Sequence, residues 1–131
     1  MSAQTNPPPP LHELEAEVME AVWDSDPDEV TVREMMDVLN RRTKSPRAYT
    51  TYMTIMRRLD SKGLLTRRRE GKTDIYRPVY SRTEYADLRA QAGVDQLVEQ
   101  YGEVALGHFA RQIAELDPKR RRQLQRLARN D

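Results

Sequence analysis

Apolar residues recur at helical spacing from Leu11 through Leu14, Val18, Ala21 and Val22, while Glu13, Glu15, Glu17 and Glu20 fill the positions between. That spacing predicts a first helix over residues 11–23. Asp24, Ser25, Asp26, Pro27 and Asp28 then form a turn-rich link. Thr31 with Glu34 is a capping-box pattern, and Val32, Met35, Met36 and Leu39 stripe a second helix. After a connection over residues 41–46, residues 48–62 predict a third helix that ends at Gly63. On it Tyr52, Ile55, Met56 and Leu59 fall within about 100° of one another and face the core. Two short arms then flank Glu70, Gly71, Lys72 and Thr73, read as a four-residue hairpin loop in which Gly71 takes positive φ.

Beyond Ser81 the pattern is helical throughout. Ser81 or Thr83 is the cap of a helix running to Tyr101, and Gly102 breaks it. Leu106, Phe109, Ala110 and Ile113 stripe another helix, and Asp117 followed by Pro118 opens a short basic one with Leu124 and Leu127. Residues 1–10, with four consecutive prolines at 7–10, read as a disordered lead-in. The expected fold class is mainly α with a small β-hairpin. Its expected domains are a winged helix-turn-helix over residues 11–80 and a helical dimerisation domain over 81–131.

The tail carries the dimerisation expectation. Tyr85, Leu88 and Ala92 share one face of its first helix, but Val94, Leu97, Val98 and Tyr101 lie roughly opposite at 100° per residue. A helix needing cover on both sides, in a segment with few large apolar residues, cannot bury itself alone. Leu88, Val94, Leu97, Val98, Tyr101, Leu106, Phe109 and Ile113 are therefore the expected contacts with a second copy. A helix folded back on its own winged domain, or broken at Gly93, is the alternative.

Charge sharpens the picture. The net charge is +1, yet residues 11–43 carry three Lys/Arg against ten Asp/Glu, and residues 44–82 carry eleven against three. The positive excess coincides with the third helix and the hairpin, as a polyanion-binding face requires. No apolar run approaches the length of a membrane span, so direct membrane insertion is not expected. The N-terminus lacks signal-peptide regions, and the absence of cysteine removes thiolate metal sites and thiol catalysis and fits a cytoplasmic setting. His12 and His108 are the two histidines, with no metalloprotease, phosphate-loop or nucleophile motif around them, so neither enzyme activity, a metal nor a cofactor is expected.

A small, polar, basic helix face beside a cationic ribbon suits double-stranded DNA, with the helix in the major groove and the ribbon on phosphate. Opposite the core stripe lie Thr50, Thr54, Arg57 and Ser61, flanked by Met53 and Arg58. Thr50 and Thr51 stand near the helix N-terminus, where backbone N–H groups attract phosphate. On the ribbon, Arg68 and Lys72 are the foremost phosphate candidates, with Arg67 and Arg69 next, while Glu70 and Asp74 temper the tip. Trp23, Tyr49, Tyr52 and Tyr76 are read as core or near-core groups rather than a base-stacking platform.

Leu11, Leu14, Val18, Met19 and Trp23, then Thr31 to Glu34, then Ala48, Tyr49, Thr50, Thr51, Met53 and Thr54, then Arg58, Leu59, Lys62, Gly63 and Leu64, and finally Arg69, Glu70, Gly71, Tyr76, Arg77 and Pro78 resemble the penicillinase-repressor (BlaI/MecI/CopY) family. The resemblance runs from Leu11 to about Leu127. It implies a winged-helix repressor bound as a homodimer to a palindromic operator, with positions matching Thr50, Thr51, Met53 and Thr54 in the groove. It also implies regulation of antibiotic resistance, with derepression by cutting in the dimerisation domain through a membrane sensor protease that detects β-lactams. The cut falls before a Phe matching Phe109, and His108 stands where the best-known members have Asn. The copper-sensing branch uses C-terminal cysteines that this chain lacks. A protein-interaction or RNA-binding adaptor using the same basic face is the competing reading.

Overall fold

A computed structural model describes residues 6–27 and 29–129. Helices α1 (Glu13–Asp24), α2 (Val32–Asn40) and α3 (Tyr49–Ser61) precede strands β1 (Leu65–Glu70) and β2 (Thr73–Pro78). Helices α4 (Arg82–Tyr101), α5 (Glu103–Ala114) and α6 (Pro118–Arg129) follow. The described chain divides into two compact units, one up to Ala90 and one from Gln91.

The first unit is a winged helix. Val18, Met19 and Val22 of α1, Val32, Met35 and Leu39 of α2, and Tyr52, Ile55, Met56 and Leu59 of α3 close on one core, sealed by Leu64, Leu65 and Tyr76. Helix ends follow local chemistry. Thr31 Oγ1 accepts from Glu34 N–H at 3.2 Å while Glu34 accepts from Thr31 N–H at 2.8 Å. Ser81 and Glu84 repeat that exchange at α4, and Asp117 caps α6 through Arg120 N–H at 2.9 Å. Gly63, at φ +83°, reverses the chain after α3. Its N–H donates to Asp60 O and that of Leu64 to Leu59 O, a Schellman closure whose apolar partners Leu59 and Leu64 are both buried.

Several elements differ from the sequence expectation. α1 starts at Glu13 rather than Leu11, because His12 is its N-cap. The hairpin loop holds two residues, not four: Glu70 and Thr73 pair across the strands, and positive φ occurs at Gly71 but not at Lys72, which fits a type II′ turn. Val30 adds a short bridge to Tyr76, with N–H···O distances of 2.9 and 2.8 Å, which no periodicity announced. α4 runs unbroken through Gly93. Tyr49, expected near the core, is exposed and lies under the Arg33 guanidinium, 5.7 Å from its ring centre. The proline lead-in, expected to be disordered, is partly held: Pro8 is buried, Arg89 donates to its carbonyl and Tyr85 to that of Pro9, at 3.1 and 3.0 Å. Carbonyls without N–H partners of their own suit this role. Residues 1–5 of that segment, and Asp28 of the first turn, lie outside the described residues.

One ion pair of the first unit has a buried carboxylate. Glu15, fully buried, accepts from Lys62 Nζ at 2.8 Å and from His12 N–H at 2.9 Å, tying the start of α1 to the end of α3. Burial by itself would raise the Glu15 carboxyl, but these two bonds hold it below its ordinary range. The pair's contribution is therefore complete above the ordinary carboxylate range and is lost as pH falls through the lowered folded value. Lys62→Met leaves the buried carboxylate without its cation. It should cost about 3 kcal/mol at neutral pH, with the deficit shrinking on acidification, as read by denaturant melts across pH. A pH-independent deficit would argue against an ionised Glu15.

Candidate nucleic-acid interface

α3 displays what its core stripe leaves over. With Tyr52, Ile55, Met56 and Leu59 buried, Thr50, Thr54, Arg57, Arg58 and Ser61 are exposed, and Thr51 and Met53 are half-buried at the flanks. Ala48, the N-cap, offers no side-chain acceptor, so the first turn has no side-chain cap at the end where the helix dipole is positive, although Thr51 N–H donates to Ala48 O at 3.1 Å. α2, by contrast, is capped by its own Thr31 and Glu34.

The turn before α3 is closed by Asn40, a residue the sequence reading passed over. Its side chain donates to Arg47 O at 2.9 Å and accepts from Arg47 N–H at 3.0 Å and from the Tyr52 hydroxyl at 2.7 Å. One amide thus clamps the connection and satisfies a core phenol, which sets the rotation of α3. An Asn at a helix end is too common for its position alone to reveal this.

The ribbon sorts its arginines by register. Arg69 pairs opposite Asp74 and Arg67 opposite Tyr76, on the face shared with buried Leu65; Arg68, opposite Ile75, lies on the other face. Arg67 reaches Asp60 of α3 at 3.5 Å, so its face is the one beside α3. Asp74 receives Arg57, Arg67 and Arg69 at 3.7, 3.8 and 3.2 Å. Arg68 is held between Glu29, at 3.1 Å, and Glu70. Hydrogen bonding to Glu70 and the Glu29 charge raise its pKa. Burial, then the Asp74 charge, push the Tyr76 phenol upward against Arg67 and Arg57, so it stays protonated. Among the described residues no carboxylate pairs with Arg58 or Lys72. Much of the positive excess is therefore internally balanced, and Arg68, one of the two foremost ribbon candidates by sequence, has its guanidinium on two carboxylates.

A groove of about 420 Å³ opens between the start of α2, α3 and the ribbon tip, lined by Arg33, Tyr49, Met53, Arg57, Arg69 and Lys72 among others. Four of the candidate residues, Met53, Arg57, Arg69 and Lys72, line this groove together with Asp74, and Arg67 reaches the same carboxylate. Among the described residues no group of three or more acidic or histidine side chains is placed to hold a metal, and no helix is long and apolar enough to cross a membrane.

Residues 11–130 match the penicillinase repressor family. The chain belongs to that family. The family is one of transcriptional repressors, and the chain is no enzyme. It is 37% identical over 117 residues to the transcriptional regulator BlaI of two Mycobacterium tuberculosis strains, covering 85% of this chain and 80% of each relative. Its fold is similar to the solution structure of the DNA-binding domain of the repressor BlaI, at 26% identity and a TM-score of 0.51, covering 62% of this chain and 94% of that one. As a penicillinase-repressor family member the chain has a winged-helix domain, the fold class expected from its pattern.

Because Lys72 stands at the ribbon tip without a carboxylate partner, Lys72→Ala should weaken binding to all duplexes about equally. It should also lower the salt slope of log K by about one. Titrations of one duplex at several salt concentrations read both, and an unaltered slope would remove the tip from the interface.

Proposed function

We propose that this penicillinase-repressor family member is a sequence-specific, DNA-binding transcriptional repressor that acts in the cytoplasm as a homodimer on a palindromic operator. The observation that carries the reading is the outward face of α3: Thr50 and Thr54 beside Arg57 and Arg58, at an uncapped helix start next to the ribbon. Short hydroxyl side chains let a helix approach base edges closely, a Thr methyl can touch a thymine methyl, and Arg57 or Arg58 can reach guanine or phosphate. The Thr51 hydroxyl and the N–H groups of Tyr49 and Thr50 take phosphate, as do Arg67, Arg69 and Lys72 of the ribbon, with Arg68 exchanging its carboxylates for it.

Support for the homodimer comes from the second unit. Val94, Leu97, Tyr101, Leu106 and Ile113 are exposed there, together with Val104, which the sequence reading omitted. Val98 and Phe109 are half-buried. A groove of about 400 Å³ is lined by Leu97, Tyr101, Val104, Ala105, His108, Phe109 and Gln112. So much uncovered apolar surface in a short helical unit suits a second copy. Leu88 is half-buried and falls in the first unit. Two joined copies then present α3 to major-groove faces about 10 bp, or a multiple, apart. Derepression by a membrane sensor protease belongs to the same reading. The His108–Phe109 bond lies within α5, so cutting there requires that helix to open locally.

Labelled operator fragments selected from genomic DNA should remain bound under excess random competitor. In that assay Thr54→Ala should cost about 1–3 kcal/mol at the selected site and relax base choice there. Loss of the native complex to random duplex would overturn the function, and an unaltered base preference would move recognition off α3. Sedimentation should give a dimer for the full chain, while truncation after Ala90 should give a folded monomer with much weaker operator binding. A monomeric full chain would remove the dimer from the proposal.

A further inference from the structure

The geometry points to Asp74 as a positioning residue that sets how strongly the interface prefers its operator over arbitrary duplex. This rests on the DNA-binding reading above. The Asp74 side chain is only 13% exposed; its Oδ1 faces Arg69 at 3.2 Å, and its Oδ2 faces Arg57 at 3.7 Å and Arg67 at 3.8 Å. Arg57 comes from α3 and the other two from β1, so one carboxylate links the reading helix to the ribbon. Two anionic oxygens receiving several guanidinium groups is the arrangement a DNA phosphate would also make.

The three arginines are 38–61% exposed, and none of the separations is that of a close bidentate pair. Such pairs contribute little to stability in water, which leaves orientation and competition as the carboxylate's main effects. Held on Asp74, the arginines are not free to bind any passing phosphate. An arginine that turns toward phosphate leaves a largely buried carboxylate less compensated. At the operator, base contacts seat α3 with Arg57 still on Asp74; on arbitrary duplex affinity comes from phosphate alone, so all three arginines leave the carboxylate and the cost falls there. Discrimination then includes a term directed against the wrong partner. Glu70 and Glu29 cannot serve in the same way, because Arg68 lies on the ribbon face away from α3.

The test uses the full chain, its selected operator and a random duplex of equal length, titrated over a salt series. Asp74→Asn should bind the random duplex roughly five-fold tighter near physiological salt, with a slope steeper by about one, as a single added phosphate contact does. Operator affinity should change less, so the specificity ratio falls, and Asp74→Glu, which keeps the carboxylate, should return it toward the native ratio. An unchanged ratio in a folded Asp74→Asn, or parallel weakening on both duplexes, overturns the inference. Should Asp74→Asn fail to fold, Asp60→Asn decides, since Asp60 restrains Arg67 from a more exposed position. Tighter random-duplex binding supports the role and no change overturns it. A native chain without operator preference is a separate result that removes the repressor reading itself, and this inference with it.

Discussion

The rotation of α3 about its own axis is the constraint on which the interface depends. Successive residues are offset by about 100°, so a slip of one position would exchange Thr54 for Ile55 on the outward face. Four buried side chains, Tyr52, Ile55, Met56 and Leu59, oppose any such slip. Each contributes on the order of 1.5–3 kcal/mol by burial, far more than an exposed polar contact can recover. The Tyr52 hydroxyl adds direction, because an unpaired buried hydroxyl is costly and Asn40 is its acceptor. Asn40 is simultaneously bonded to both backbone groups of Arg47, so the core and the turn enforce one setting.

Electrostatics in the winged unit works on two levels. Glu15 and Lys62 form a pair with one member fully buried, and losing Lys62 would strand the carboxylate. The surface pairs around Asp74 and Glu29 are weaker and organise rather than stabilise. They join the acidic segment to the basic one: Glu29 from the loop before α2 faces Arg68, and Arg82 spans Glu20 and Asp24 of α1. The segregation of charge along the chain is thereby partly cancelled in space; among the described residues of the basic segment, Lys44, Arg47, Arg58 and Lys72 keep no carboxylate partner.

α4 explains why its apolar residues point two ways. Its first turns belong to the winged unit, where Tyr85 packs 5.6 Å from Trp23, whose indole N–H donates to Tyr80 O at 2.8 Å. Its later turns belong to the second unit, where Leu97 and Tyr101 share a groove with α5. The opposed faces serve different partners in sequence along one helix. The alternative of a tail packed on its own winged domain thus describes the first turns, while the proposed dimer concerns the rest.

Helix and hairpin positions were legible from the chain alone because they rest on local rules: apolar spacing at 3.6 residues, the Thr31–Glu34 cap, and Gly63 and Gly71 where φ must be positive; at α4 the structure chose Ser81 over Thr83 through its exchange with Glu84. Which α3 residues face outward followed from the same periodicity, whereas the repressor family was legible only as a resemblance, which the family match bears out. Tertiary structure alone decided the Val30 bridge, the Asn40 clamp, the Glu15–Lys62 pair and the gathering of three arginines on Asp74. These are contacts between residues distant in sequence or across a register. A side chain's charge is written in the chain, but whether it is free for a ligand depends on which opposite charge folding brings within about 4 Å.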